Sequence, residues 1–429
     1  MVSRATVHAA PVVVPVAAPP IADGAVVVEA GRIVAVGSRT EARRAHPSAG
    51  LVEWDGALLP GLVNAHTHLQ YTSFAAVGAR IYPSYLAWSE RFVQEYEARR
   101  GDDWAVVARE GIGLAMRSGT TCFGDVVTDR GALDAIVEGG VAGVSYHELI
   151  GIDARQWEDG IADEVAALLD GAARPPHAPL GLSPHALFSV DVPVLLAAAD
   201  LARRHDVRLH VHLAESKDEE ALLRTATGPL AERVASQVGR PWVLLDRGGA
   251  GMGPAEFAEA CGLVGRDVHV AHGVHLDAAE RKILRAAGTP VALCPRSNLT
   301  VGAGAPPVAE YLRERSPIAV GTDSLGSSPS LDLLDDVALL RWLALDGGYA
   351  EPDLDEQLLA AATIGGAEAL GLEGQVGSLE PGKRADLAVY AVDHAPNRVV
   401  HDLVASGAGR CVATLVAGEV RWSAGGARP

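Results

Sequence analysis

Residues 60–69, Pro60-Gly61-Leu62-Val63-Asn64-Ala65-His66-Thr67-His68-Leu69, form a short apolar run that ends in two histidines one residue apart. In a strand, side chains at i and i+2 point the same way. His66 and His68 therefore share one face and could clamp one metal ion. Two core histidines bonded to backbone would show the same spacing, so the reading depends on what recurs further along the chain.

Seven comparable runs follow: "TTCFGDVV", "VAGVSYHELIG", "LGLSPHALF", "RLHVHLAES", "VHVAHGVHL", "PVALCPRSN" and "IAVGTDSLG". Helix-like stretches such as "DVPVLLAAADLARRHD" and "LDAAERKILRAAG" lie between most of them. Eight strand–helix alternations over about 270 residues predict an α/β fold, a (β/α)8 TIM barrel. The runs are nearly all apolar, as strands covered on both faces should be. Polar residues gather at the C-terminal side of each run: His66 and His68, Asp125, His147 and Glu148, His185, His212 and Glu215, His272, Arg296 and Asn298, and Asp323. In such barrels the active site assembles at that end.

The chain ends read differently. Residues 1–57 ("GAVVVEAGRIVAVGS") and 375–429 ("CVATLVAGEVRWSAG") alternate apolar and polar residues around glycine-rich turns, as antiparallel strands do. Together they predict one small β-sandwich domain, with residues 58–374 as the catalytic barrel. The chain has 429 residues, 48% of them hydrophobic, enough for a large core.

A net charge of −18 disfavours phosphate backbones and anionic lipid, so no nucleic-acid or membrane partner is expected. No run of about 18 apolar residues indicates a membrane span. Prolines interrupt the apolar N-terminus, "MVSRATVHAAPVVVPVAAPP", which argues against a secretory leader. Four separated cysteines make neither a disulfide framework nor a thiolate metal site, and fit a reducing cytoplasm.

Further candidate ligands recur on later strands: His212, His272 and Asp323. Imidazole and carboxylate together suit Zn²⁺ or Fe²⁺. Glu215 follows His212 at the mouth and is placed to shuttle a proton beside an activated water. His210 lies one pleat deeper and reads as core. Of His269, His272 and His275, the "AHGV" position, His272, is expected to face the metal. Asp323 could both ligate and accept a proton. Only three lysines occur, Lys217, Lys282 and Lys383, none at the end of the third or fourth strand. A carboxylated lysine bridging two metals is thus missing, and one divalent ion is expected.

The segments "PGLVNAHTHL", "SPH", "HLAE", "AHGVHL", "CPRSN", "GTDS" and "GSLEPGKRADL" resemble the amidohydrolase superfamily, in its mononuclear nucleoside and base deaminase branch. The resemblance runs in order over nearly the whole chain. It implies a barrel with a β-sandwich built from both termini. It also implies His66, His68, His212 and Asp323 as ligands of one metal, zinc foremost, with iron or manganese as alternatives. Glu215 would serve the leaving-group side, His272 would orient the attacking water, and His185 would touch substrate.

The implied reaction is hydrolytic loss of ammonia from a 6-aminopurine nucleoside, a small-molecule substrate. The "HTHLQYTS" context is similar to the aminodeoxyfutalosine deaminases of menaquinone synthesis, although Gln70 stands where those tend to carry glutamate. Gln70, Arg155 and Asn298 are expected substrate contacts. Arg155, Arg80 and Arg296 are candidates to meet that substrate's benzoate. The alternatives are a methylthioadenosine/adenosylhomocysteine deaminase, a triazine chlorohydrolase-like hydrolase, and an inactive barrel acting as a binding protein. A homodimer is expected from the prevalence of such assemblies.

Overall fold

The computed structural model describes residues 5–171, 174–238, 241–392 and 395–426. Residues 1–4 and 427–429, at the outer ends of the expected terminal domain, lie outside the described residues. The chain opens with β1 (Thr6–Val13), β2 (Ile21–Glu29), β3 (Arg32–Ser38), β4 (Gly50–Glu53) and β5 (Ala57–Pro60). The barrel strands are β6 (Leu62–Thr67), β7 (Thr120–Val127), β8 (Ala142–Leu149), β9 (Leu180–Pro184), β10 (Arg208–Leu213), β11 (Val268–His272), β12 (Val291–Leu293) and β13 (Ile318–Val320). The chain closes with β14 (Leu387–Tyr390), β15 (Cys411–Val416) and β16 (Glu419–Ser423).

Strands β6 to β13 pair in parallel, each with its neighbour in sequence, and coincide with the eight apolar runs. The ring is completed beyond the last ladder by side chains and turn backbone. Asn64 and Thr322 bond reciprocally at 2.7 and 3.1 Å, and the Asp323 N–H donates to the His66 carbonyl at 3.0 Å. Strand and helix starts are set locally. Asp277 caps the helix Ala278–Ala287 in a capping box with Glu280, and Gly288 ends it at φ +71°.

The terminal strands form one eight-stranded mixed sheet, ordered β16-β15-β14-β5-β1-β2-β3 with β4 on β1. Val26 and Ile33 from one arm share a core with Leu387, Val389 and Leu415 from the other. The terminal segments therefore build one mixed sheet, separate from the barrel sheet. The β5 strand leads through Gly61 directly into β6, which ties this sheet to the bottom of the first barrel strand. An added Cβ at Gly61 would sit 2.0 Å from Thr121 Oγ1, so only glycine passes there.

Candidate active site

His66 is fully buried inside the barrel, and both its ring nitrogens lack a hydrogen-bond partner. Its Nε2 lies 3.6 Å from Asp323 Oδ1, and His68 Nε2 lies 3.7 Å from the same oxygen. His68 Nε2 is 3.2 Å from His212 Nε2. The other nitrogen of His212, Nδ1, is 2.8 Å from the His185 carbonyl. A carbonyl only accepts, so Nδ1 carries the proton and the Nε2 lone pair is left for the centre. Buried polar nitrogens without partners cost free energy. A divalent cation among these donors removes that cost, and three imidazoles with a carboxylate are a donor set that zinc and similar ions accept. The residues present fit a metal.

The two residues that close the centre from strands β11 and β13 have left-handed backbones: His272 at φ +75° and Asp323 at φ +59°. Such conformations are uncommon outside glycine and mark sites held in place by their surroundings. Asp323 Oδ1 accepts from the Ser324 N–H and Oδ2 from the Ser297 hydroxyl, both at 2.7 Å. Burial acts to raise the Asp323 carboxyl. The neighbouring His68 and His272 and the hydroxyls of Ser297 and Ser327 outweigh it and hold the group below its ordinary value.

Glu215 lies beside His272, with Oε1 3.9 Å from its Nε2. Burial pushes the Glu215 carboxyl well above the usual range, and Asp323 and Glu219 push it further. Glu219 accepts from the backbone N–H groups of Ala214 and Glu215 at 2.9 and 3.0 Å, which fixes the turn that presents Glu215. Behind the centre, Asn298 Nδ2 is 3.0 Å from His272 Nδ1. Asp125 Oδ1 accepts from the Leu69 N–H at 2.8 Å and holds the turn after His68. Burial raises Asp125 to about 8.

An inner chamber of about 210 Å³ opens over His68, His212, His272, Asp323 and Glu215. A helix, Tyr85–Ala98, forms its roof with Tyr85, Trp88, Ser89, Phe92 and Val93. Trp88 Nε1–H donates to the Gly326 carbonyl at 2.8 Å and pins the roof to the turn after β13. An outer chamber of about 300 Å³ shares Tyr85, Ser89, Val93, Ile150 and His185 with the inner one. It continues over Leu86, Phe188, Leu230, Val234 and Trp242. Arg233 is the only arginine or lysine among the described residues lining it.

The structure brings His66, His68, His212, Asp323, Glu215 and His272 together, and places His185 in the neck between the chambers. Its Nδ1 is 2.7 Å from the Ser189 hydroxyl. His210, His269 and His275 are engaged elsewhere. His210 and His269 lie in an interior layer below His66, with His269 Nε2 3.0 Å from the Ala65 carbonyl, and His275 Nε2 lies 2.7 Å from the Ala303 carbonyl.

Five residues expected or offered as substrate contacts lie away from both chambers. The Arg155 side chain is 88% exposed and bonds Asp159. Arg296 is tied down by Asp335, Asp336 and Ser330, and Arg80 is exposed. Gln70 is buried, with Oε1 accepting from the Asp129 N–H at 3.1 Å. Asn298 reaches His272 rather than the cavity. None of these lines either chamber. Sequence reasoning missed Glu148 as a cavity residue and the aromatic roof. The roof had a signal: Tyr85, Trp88, Ser89, Phe92 and Val93 recur at one-face helical spacing.

A sequence profile of the amidohydrolase family matches residues 57–420, and one for an imidazolonepropionase-like composite domain of bacteria matches residues 24–49. The chain is 31% identical over 389 residues to a 5-methylthioadenosine/S-adenosylhomocysteine deaminase of Natronomonas pharaonis, covering 88% of this chain and 81% of that protein. It is 30% identical over 420 residues to the protein of the same name from Symbiobacterium thermophilum, covering 93% and 88%. Among solved structures, an adenosine deaminase from Xanthomonas campestris with bound zinc superposes with a TM-score of 0.79 at 25% identity, over 97% of this chain and 93% of that one. Helicobacter pylori aminofutalosine deaminase superposes at 0.82 and 19% identity, over 97% and 100%, a likeness of fold alone.

Proposed function

The chain belongs to the amidohydrolase family, as a hydrolase acting on carbon–nitrogen bonds of cyclic amidines, and from that premise we propose that it deaminates a 6-aminopurine nucleoside at this site. The observation that supports this most directly is that His66 and His68 lie 3.6 and 3.7 Å from Asp323 Oδ1 and His68 lies 3.2 Å from His212, beneath a cavity that also holds Glu215 and His272. His66, His68, His212 and Asp323 would hold one divalent ion, with zinc the first candidate. When bound, such an ion supplies Lewis acidity that lowers the pKa of water at the site toward neutrality.

The rest of the work falls to the chain. Asp323, kept ionised by its neighbours, accepts a proton from the attacking water. His272, steadied by Asn298, orients that water toward the ring carbon bearing the amine. Glu215, kept protonated by burial, donates to the ring nitrogen as the carbon becomes tetrahedral. Asp323 passes its proton to the departing amine, which leaves as ammonia, the added oxygen gives its remaining proton back to Glu215, and an oxo group remains. The roof helix excludes bulk water.

Within this class, 6-amino-6-deoxyfutalosine is the favoured substrate, which would place the protein in menaquinone synthesis. In support, a chamber of about 210 Å³ lies over the centre for the base, and the outer chamber offers aromatic and aliphatic walls to a large 5′ substituent. Arg233, paired with Glu90 at 3.3 Å, is the cation at that wall that a carboxylate could reach. The relatives' substrates, methylthioadenosine and adenosylhomocysteine, form the second reading, since the same apolar walls suit a thioether.

The test is ammonia release by purified protein from aminodeoxyfutalosine, methylthioadenosine, adenosylhomocysteine and adenosine. Highest kcat/KM on the first, reduced by Arg233→Ala, supports the reading. Turnover confined to the thioether nucleosides replaces the substrate and keeps the chemistry. Ammonia from none of them removes the reading.

A further inference from the structure

We infer that Glu148 is the residue that reads the ribose diol, and so restricts the site to nucleosides; this rests on the nucleoside deaminase reading above. Glu148 ends β8 and is 7% exposed. Its Oε2 accepts a short hydrogen bond from the Thr128 hydroxyl, and that hydroxyl is 2.9 Å from the Tyr71 hydroxyl. One carboxylate oxygen is thus fixed by a chain of hydroxyls from the first and second strand ends. The other, Oε1, is buried without a partner in the protein, and the residue lines the inner chamber.

A buried carboxylate oxygen left unpaired is costly, and the cost is removed when a donor arrives. The position says what kind of donor. Glu148 lines the inner chamber together with Ile150 and His185, which also line the outer one, and with His212 of the centre. A ligand atom of Glu148 lies within 4.8 Å of ligand atoms of His185 and His212. A purine over the centre with its 5′ group in the outer chamber must place its sugar in this neck. A carboxylate accepts but does not donate when ionised, and two vicinal hydroxyls supply the matching donors. A free base or a triazine brings none to this point, and leaves Oε1 unpaired.

The same atoms could instead take part in a second metal site, since Glu148, His185 and His212 converge. The His212 Nε2 lies 3.2 Å from His68 Nε2 and belongs to the ligand set proposed for the centre, which leaves that trio short of a ligand. The experiment separates the two.

Steady-state ammonia release is measured on adenosine and on 2′,3′-dideoxyadenosine, with wild-type protein, Glu148→Gln and Thr128→Val, alongside metal content per chain. Wild type is expected to prefer adenosine by at least about 10²-fold in kcat/KM, as sites built around a substrate hydroxyl do. The preference is expected to collapse to within roughly tenfold in Glu148→Gln and to fall partly in Thr128→Val, with one metal per chain throughout. A preference that survives in Glu148→Gln, or wild type with no preference, overturns the assignment while leaving nucleoside deamination intact. A second equivalent of metal in wild type that is lost in Glu148→Gln overturns it in favour of ligation. Ammonia from neither nucleoside, with turnover of adenine or an aminotriazine, sinks the nucleoside reading and this inference with it. If Glu148→Gln does not fold, the Thr128→Val ratio decides alone: an unchanged ratio is the contrary result.

Discussion

His212 Nδ1 lies 2.8 Å from the His185 carbonyl, so the backbone of one strand end fixes the tautomer of a ring on the next. The opposite nitrogen then faces His68 Nε2 at 3.2 Å, a spacing that places two lone pairs on a common point. Replacing His212 with alanine is expected to lower bound metal well below one equivalent per chain and to abolish ammonia release. Metal analysis of the purified variant checks this, because a merely structural histidine would leave metal content unchanged.

Burial pushes the Glu215 carboxyl well above its usual range, and its Oε1 lies 3.9 Å from His272 Nε2. Glu215→Gln keeps the shape and loses the transferable proton. A fall in kcat of about 10²–10⁴ is expected with metal content intact. A fall accompanied by metal loss would reassign Glu215 to the centre itself.

Asn298 is buried and 3.0 Å from His272 Nδ1. Asn298→Leu frees the His272 ring to rotate. Groups that orient site histidines are worth about 10–100-fold in activity, and a loss of that size in kcat with little change in KM is expected. A change in KM alone would restore Asn298 as a substrate contact.

Arg296 illustrates how a candidate binding residue is claimed by the fold. Its guanidinium bonds Asp336, which is fully buried, at 2.7 Å, and also reaches Asp335 and Ser330. Removing one partner of a buried pair leaves the other charge uncompensated, at a cost of about 3–5 kcal/mol. Arg296→Ala is therefore expected to unfold at markedly lower denaturant, while any folded fraction keeps its substrate preference.

His8 gives a pH test far from the metal centre. Burial lowers it from 6.5 to about 4, and it accepts from Trp54 Nε1–H at 3.2 Å as a neutral ring. The unfolded chain binds the proton first on acidification. The stability this group contributes is full above about pH 6.5 and is lost as pH falls toward 4, by up to about 3 kcal/mol. His8→Gln removes that titration. Unfolding free energies measured across this window should fall less steeply on acidification in the variant than in wild type.

The strands and the centre were legible in the sequence because both obey short-range rules. Eight apolar runs announce buried parallel strands, and the H-x-H spacing announces two side chains on one face. His212, His272 and Asp323 were legible because each follows such a run. The chambers were not. Glu148 was visible only as one polar residue at a strand end. Its value lies in which oxygen Thr128 takes and which is left, and no local pattern carries that. The arginines misled because charge suggests a ligand, whereas Arg155 turns to solvent beside Asp159 and Arg296 is consumed by the acids after β13. Arg233 sits on a helix with no motif, and only the packing of that helix against the neck brings it to the cavity.

The central claim is that His66, His68, His212 and Asp323 hold one divalent ion required for hydrolysis of an aminopurine. The most direct measurement is metal content and ammonia release on the same preparation, before chelation, after chelation, and after adding Zn²⁺ back. The account predicts about one ion per chain, loss of ammonia release in step with loss of the ion, and recovery with one equivalent restored. Undiminished ammonia release from protein verified to be free of metal would contradict it.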